Sequence, residues 1–111
     1  MSKKNYLIIV SEDPFEMPTA RRAGELALQL KRRGHDVALY LVQNGVLAGR
    51  AGARGSQVPR LTGAGVTVLA DDFSLRERGI DPGELTHGVR EAPIGRLLDL
   101  VMRAGTKTLW H

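Results

Sequence analysis

Two adjacent carboxylates, Asp71 and Asp72, follow a β-branched apolar run, and Ser74 stands just beyond them. A carboxylate that is shielded from water can act as a general base, and His87 in the next loop could be its partner. The same side chains could instead cap a helical turn, with Ser74 and Glu77 forming a capping box. Residue types and spacing alone leave both the catalytic and the capping interpretation open.

Two further loops follow predicted strands and could carry a site. Ser11 comes directly after the first apolar run, and Asn44-Gly45 comes after the second. The backbone N–H groups of such a turn can hold a small anion, although an ordinary turn explains the dipeptide equally well. The candidate ligand-binding residues are therefore Ser11, Asn44, Gly45, Asp71, Asp72, Ser74 and His87.

Several classes of chemistry lack their usual residues. The chain contains no cysteine, so it has no thiolate nucleophile and no thiol that could carry sulfur as a persulfide. Its three histidines show no spacing typical of metal ligands. No G-x-G-x-x-G, P-loop or G-x-S-x-G pattern occurs. The sequence therefore predicts neither a metal nor a cofactor.

Composition indicates a single globular domain over residues 1–111, with a formal net charge of +4. Basic and acidic residues are interleaved and aromatic residues make up only 5%, so we expect no nucleic-acid surface. The apolar run near the N-terminus has about five residues, too few for a signal peptide or a membrane span. We therefore expect a cytoplasmic protein that does not bind membranes.

Apolar runs alternate with amphipathic stretches along the chain, which is typical of βαβ units. This pattern predicts a three-layer α/β/α sandwich with a mostly parallel sheet of about five strands. Strands are predicted at 5–10, 36–42, 66–70 and 106–110, with a short one near Val89, and helices at 19–33, 56–62 and 94–104. Between residues 43 and 59, frequent glycines predict a mobile loop with a short helical start.

The last predicted helix carries an apolar face formed by Ile94, Leu97, Leu98 and Val101. Trp110 follows near the C-terminus. Tryptophan is enriched at interface hot spots, so Trp110 is the candidate interface residue. The alternative is that Trp110 covers the core at the sheet edge.

The order of these segments resembles the DsrE/DsrF-like sulfur relay family, which includes DsrH and the TusB, TusC and TusD subunits. The segments are "NYLIIV", "GHDVALYL" with its "NGV" turn, "GAGVTVLADDFSLRERGI" and the ending "TKTLWH". This resemblance covers nearly the whole chain. It implies a small α/β sandwich that assembles as a homo- or hetero-oligomer, as a dimer, trimer or hexamer.

Family members with a cysteine at the end of the third strand carry sulfur as a persulfide, and Asp71 occupies that position here. A carboxylate cannot carry sulfane sulfur. The resemblance therefore implies a non-catalytic structural or docking subunit in intracellular sulfur trafficking or oxidation, with a sulfurtransferase or a cysteine-bearing paralogue as partner. Two alternatives remain: a small-anion-binding protein, and an enzyme with Asp71 or Asp72 as general base.

Overall fold

The alternating apolar runs form one sheet of five strands with helices on both faces, as seen in a computed structural model that describes residues 3–13, 15–103 and 105–110. The elements in chain order are β1 (Asn5–Val10), α1 (Pro18–Arg32), β2 (Asp36–Leu41), a 3₁₀-helix (Gln43–Gly49), α2 (Val58–Gly63), β3 (Thr67–Asp71), α3 (Asp72–Glu77), a second 3₁₀-helix (Pro82–Glu84), β4 (Arg90–Ala92), α4 (Ile94–Met102) and β5 (Thr106–Trp110).

The strand order is β4-β3-β2-β1-β5, and every neighbouring pair is parallel. A parallel pair needs a crossover, and the helices between successive strands supply it. The registers align the strand ends, so all five carboxyl ends meet at one edge of the sheet. The predicted α/β class and parallel five-stranded sheet are confirmed.

The two faces of the sheet are covered unequally. The larger buried cluster includes Ile8, Leu39 and Val68 from the strands and lies under α1 and α2. The smaller cluster includes Leu7, Ile9, Tyr40 and Leu69, and α4 covers it through Leu97 and the partly buried Leu100. Apolar burial stabilises both layers, but the second layer depends on a single helix of nine residues.

Two details of the local structure refine the sequence predictions. The short helical start expected in the 43–59 loop is longer than predicted, since Gln43–Gly49 form a 3₁₀-helix in which Val46 and Ala48 are buried. Hydrophobic burial there outweighs the flexibility that glycine confers. The helical turn that contains Ser74 and Glu77 begins before Ser74, because α3 starts at Asp72. In the part of the chain that the structure describes, no helix is long and apolar enough to cross a membrane.

Gly45 allows the 3₁₀-helix to approach β1 closely. Its N–H donates to the carbonyl oxygen of Val42, and a Cβ at this position would overlap the carbonyl oxygen of Val10. The obstacle is backbone rather than a flexible side chain, so the structure cannot adjust cheaply. Gly45 is therefore needed for packing at the carboxyl edge of the sheet.

We expect Gly45→Ala to lower the free energy of unfolding by about 3 kcal/mol, because the added methyl forces two backbone segments apart. Urea denaturation followed by circular dichroism measures this loss. Gly63→Ala is the matched control, since a Cβ at Gly63 meets no heavy atom within 4 Å. In a helix this substitution should stabilise by about 0.5–1 kcal/mol. Equal effects at the two glycines would contradict the steric explanation.

Candidate functional site

Asp71 is the last residue of β3 and is buried, with 6% of its surface exposed. Its Oδ2 accepts two hydrogen bonds from Ser74, one from the backbone N–H at 3.0 Å and one from the hydroxyl at 2.8 Å. Asp71 is thus the N-cap of α3. The predicted capping box of Ser74 and Glu77 is wrong, since Ser74 lies inside the helix and donates to the cap instead.

The second oxygen of Asp71 is held by Tyr40. The Tyr40 hydroxyl lies 3.1 Å from Asp71 Oδ1 and also 3.1 Å from each of the carbonyl oxygens of Ala92 and Pro93. One phenolic hydrogen therefore has three acceptors, and the contacts join β2, β3 and the end of β4. Burial raises the pKa of the Tyr40 phenol above its ordinary value, and the charge of Asp71 and the hydrogen bond to it raise it further.

Ser74 connects Asp71 to the turn after β2. The backbone N–H of Gln43 donates to the Ser74 hydroxyl oxygen at 2.8 Å, while that hydroxyl donates to Asp71. Gln43 has a φ of +50°, a left-handed conformation that is uncommon outside glycine. Both oxygens of Asp71 thus receive donors, and the carboxylate connects β2, β3 and α3 at this edge.

Of the predicted anion donors, Gly45 has its N–H engaged within the protein, and Asn44 is held through its side-chain oxygen. Arg78 donates from Nε and Nη2 to the side-chain oxygen of Asn44 at 3.1 and 3.0 Å, and from Nη1 to the carbonyl oxygen of Ser74 at 3.2 Å. The Gly45 N–H donates to the carbonyl oxygen of Val42. These contacts bind α3 to the 3₁₀-helix, so they explain the Asn-Gly turn structurally.

His87 does not reach this group. Leu69 pairs with Arg90, which places the preceding residues of that loop beside the start of β3, at the edge opposite Asp71. The register therefore does not support a partnership of His87 with Asp71 or Asp72. The chain needs the segment before β4 to return to the amino-terminal edge before a parallel strand can begin.

The remaining candidates lie at the carboxyl edge. Asp72 forms an ion pair with Arg76 at 3.7 Å, one turn along α3, and is partly exposed. The indole N–H of Trp110 donates to the Ser11 hydroxyl oxygen at 3.1 Å, which connects the ends of β5 and β1. Trp110 remains 66% exposed, so it does not cover the core.

Sequence reasoning missed Tyr40, Gln43 and Arg78. A signal existed for Tyr40, because a tyrosine inside the buried run DVALYL needs a hydrogen-bond partner for its hydroxyl. Gln43 acts through its backbone and Arg78 through a contact 34 residues away, and neither leaves a local pattern. Among the described residues, no three His, Asp or Glu side chains come together as a metal-binding group.

Comparison with known proteins shows the fold. The chain is similar to the crystal structure of the YchN protein from E. coli, with 21% identity, a TM-score of 0.86, and coverage of 99% of this chain and 100% of YchN. It is also similar to MTH1491, a protein of unknown function from Methanobacterium thermoautotrophicum, with 20% identity, a TM-score of 0.81, and coverage of 98% and 100%.

A third similar structure is BT1422 from Bacteroides thetaiotaomicron, a conserved protein of unknown function, with 20% identity, a TM-score of 0.71, and coverage of 96% and 94%. No family model and no curated protein matches the sequence. At these identities the similarity establishes the fold alone, and that fold is DsrE/DsrF-like.

We expect Asp71→Ala to lower the free energy of unfolding by about 3 kcal/mol, because it leaves two Ser74 donors without their acceptor and removes one of the three acceptors of the Tyr40 hydroxyl. Denaturant unfolding measures the loss. Asp72→Ala is the control on the adjacent carboxylate, whose exposed ion pair contributes less than about 1 kcal/mol. If both variants lose the same amount, Asp71 does not hold this edge together.

The free energy of unfolding at alkaline pH should show how much the neutral Tyr40 phenol stabilises the fold. Because its pKa is raised on folding, the neutral phenol stabilises the fold fully below pH 10, the ordinary tyrosine value, and this contribution is lost as pH rises further. We expect the free energy of unfolding to fall more steeply above pH 10 in the wild type than in Tyr40→Phe. Parallel pH profiles for the two proteins would contradict this.

Proposed function

We propose that this protein is a non-catalytic DsrE/DsrF-like subunit that docks to other proteins in intracellular sulfur trafficking or oxidation. One observation carries the proposal: the residue that ends β3, where the sulfur-carrying cysteine of the family is expected, is a buried carboxylate with both oxygens hydrogen-bonded. A carboxylate held in this way supports a role in positioning the edge rather than in reacting there.

The carboxyl edge offers a surface that suits docking. Phe73 follows β3 and is 58% exposed, and Trp110 at the end of β5 is exposed as well. Large aromatic side chains in water are costly for a free monomer and are favoured anchors in interfaces. We propose that the partner is a sulfurtransferase or a cysteine-bearing chain of the same fold. The net charge of +4 favours an acidic partner.

The test is co-expression of this chain with each cysteine-bearing DsrE/DsrF-like chain and each sulfurtransferase of its source organism, followed by light scattering on the eluted complexes. We expect stable co-elution with at least one of them. Phe73→Ser should weaken that binding about tenfold or more, since it removes an aromatic anchor.

Met102→Ser is the matched control, because Met102 is also an exposed apolar residue but ends α4 at the opposite edge of the sheet. It should leave the affinity unchanged. Failure of every candidate to co-elute at tens of micromolar would overturn the proposed function. Turnover of a substrate that disappears in Asp71→Asn without unfolding would do the same.

A further inference from the structure

The face of the sheet that α4 covers is apolar in one half and polar in the other. Its apolar half carries Leu7 and Tyr40, which are buried. Side chains alternate along a strand, so Asn5 lies on the same face as Leu7, two residues before it. Asn5 pairs with Asp36 and with Thr106 on the neighbouring strands. These three side chains form a polar row at the amino ends of β1, β2 and β5, and all three are partly buried.

A cavity of about 160 Å³ lies against this polar row. Its other wall comes from the end of α4 and the residue after it, with Arg96, Leu100 and Arg103 in the lining. Leu100 packs against the sheet and Arg96 lies one turn before it, so Arg96 is on the same side of the helix. The helix ends at Met102, which leaves this end of the sheet open. We call the space between the polar row and this wall the amino-edge cavity.

Three cationic side chains line the amino-edge cavity. Arg96 and Arg103 come from the α4 layer, and Lys31 comes from the last turn of α1. The stem of Lys31 lies against Gly65, where a Cβ would be 3.1 Å from Lys31 Cε and 3.7 Å from its Nζ. In the part of the chain that the structure describes, none of the three cations forms an ion pair. The cavity therefore holds positive charge that the protein itself does not balance.

The polar row has hydrogen-bonding capacity to spare. Thr106 Oγ1 is buried, and it has no hydrogen-bond partner among the described residues. A buried hydroxyl in that state is unfavourable, and a ligand in the cavity can supply the missing partner. Asp36 is the carboxylate of the lining, and its Oδ1 lies 3.3 Å from Lys3 Nζ. Lys3 thus offsets the one negative charge in the lining, so the cavity still favours an anion.

We propose that the amino-edge cavity binds a small phosphate ester whose organic part carries hydroxyl groups. A phosphate monoester has a charge of about −1.5 to −2 at pH 7, which suits three unpaired cations better than a single carboxylate does. The arginine fork also matches the spacing of phosphate oxygens. The two arginines and Lys31 bind the phosphate, and Asn5 and Thr106 bind the hydroxyl groups.

The size of the cavity favours an ester over inorganic phosphate. A volume of about 160 Å³ has room for roughly ten water molecules, which is more than a phosphate ion fills. The uncharged part of the lining is polar, so it suits an organic part with hydroxyl groups rather than an apolar one. The cavity lies at the edge of the sheet opposite Asp71. This binding site is therefore separate from the proposed docking surface and goes beyond the proposed function.

Titration calorimetry of the full chain tests the ligand class with glycerol phosphate, inorganic phosphate, succinate and glycerol. We expect glycerol phosphate to bind about tenfold tighter than inorganic phosphate, and glycerol to show no binding. Failure of both phosphates to bind at millimolar concentrations would overturn the proposal. Succinate, a dianion without phosphorus, should bind more weakly, and an affinity equal to that of glycerol phosphate would refute the phosphate assignment.

Two substitutions test the residues. Arg103→Gln should weaken glycerol phosphate binding about tenfold or more, because it removes a charge-assisted hydrogen bond. Arg22→Gln is the matched control, since it removes the same charge from an exposed position of α1 outside the cavity. Equal weakening by both variants would show that net charge alone attracts the ligand. Thr106→Val should weaken glycerol phosphate binding but not phosphate binding, and an unchanged ratio would contradict the role of its hydroxyl.

Amide chemical shifts in NMR spectra locate the bound ligand. We expect glycerol phosphate to shift the signals of Asn5, Gly65 and Thr106, which line the amino-edge cavity. Shifts confined to Asn44 and Gly45 would place the anion at the carboxyl edge instead, and would overturn the proposal.

Discussion

The hydrogen bonds that converge on the Asp71 carboxylate hold the carboxyl edge of this protein together. Tyr40 reaches it from β2, Ser74 from α3, and Gln43 acts through Ser74 from the turn after β2. A carboxylate taken out of water is costly unless donors replace the lost hydration. Here the donors are Tyr40, which is 31 residues from Asp71 in sequence, and Ser74, which is three residues away. Satisfying one buried charge therefore fixes the positions of β2, β3 and α3 together.

A second constraint is the unequal covering of the sheet. The face under α1 and α2 holds the larger core, whereas the opposite face depends on α4 alone. A five-stranded sheet is wider than one helix. Several of the exposed large apolar residues, namely Ile94, Leu98, Val101 and Met102, belong to that helix. The exposed side of α1 carries charged residues such as Arg21, Arg22 and Glu25, whereas the exposed side of α4 carries several apolar ones.

Much of the fold follows from the sequence, because strand and helix periods are local properties. The runs NYLIIV and DVALYL could be assigned to buried strands, and the position of Asp71 at a strand end could be deduced from topology. The site itself could not. The cap of α3 is local, since Ser74 lies three residues after Asp71, but the second oxygen of Asp71 is held by Tyr40, 31 residues away. The position of His87 likewise cannot be read from local sequence, since it depends on the register between β3 and β4.

The buried Asp71 carboxylate also limits which substitutions the chain can accept during evolution. Replacing Asp71 with cysteine would supply a thiol, but it would remove the acceptor of both Ser74 donors and one of the three acceptors of Tyr40. Such a variant would begin with a stability deficit, and natural proteins have little stability to lose. Substitutions of Tyr40 or Ser74, the residues that donate to Asp71, would have to precede the substitution of Asp71 itself. The hydrogen-bond partners of Asp71 in this way make the aspartate difficult to replace.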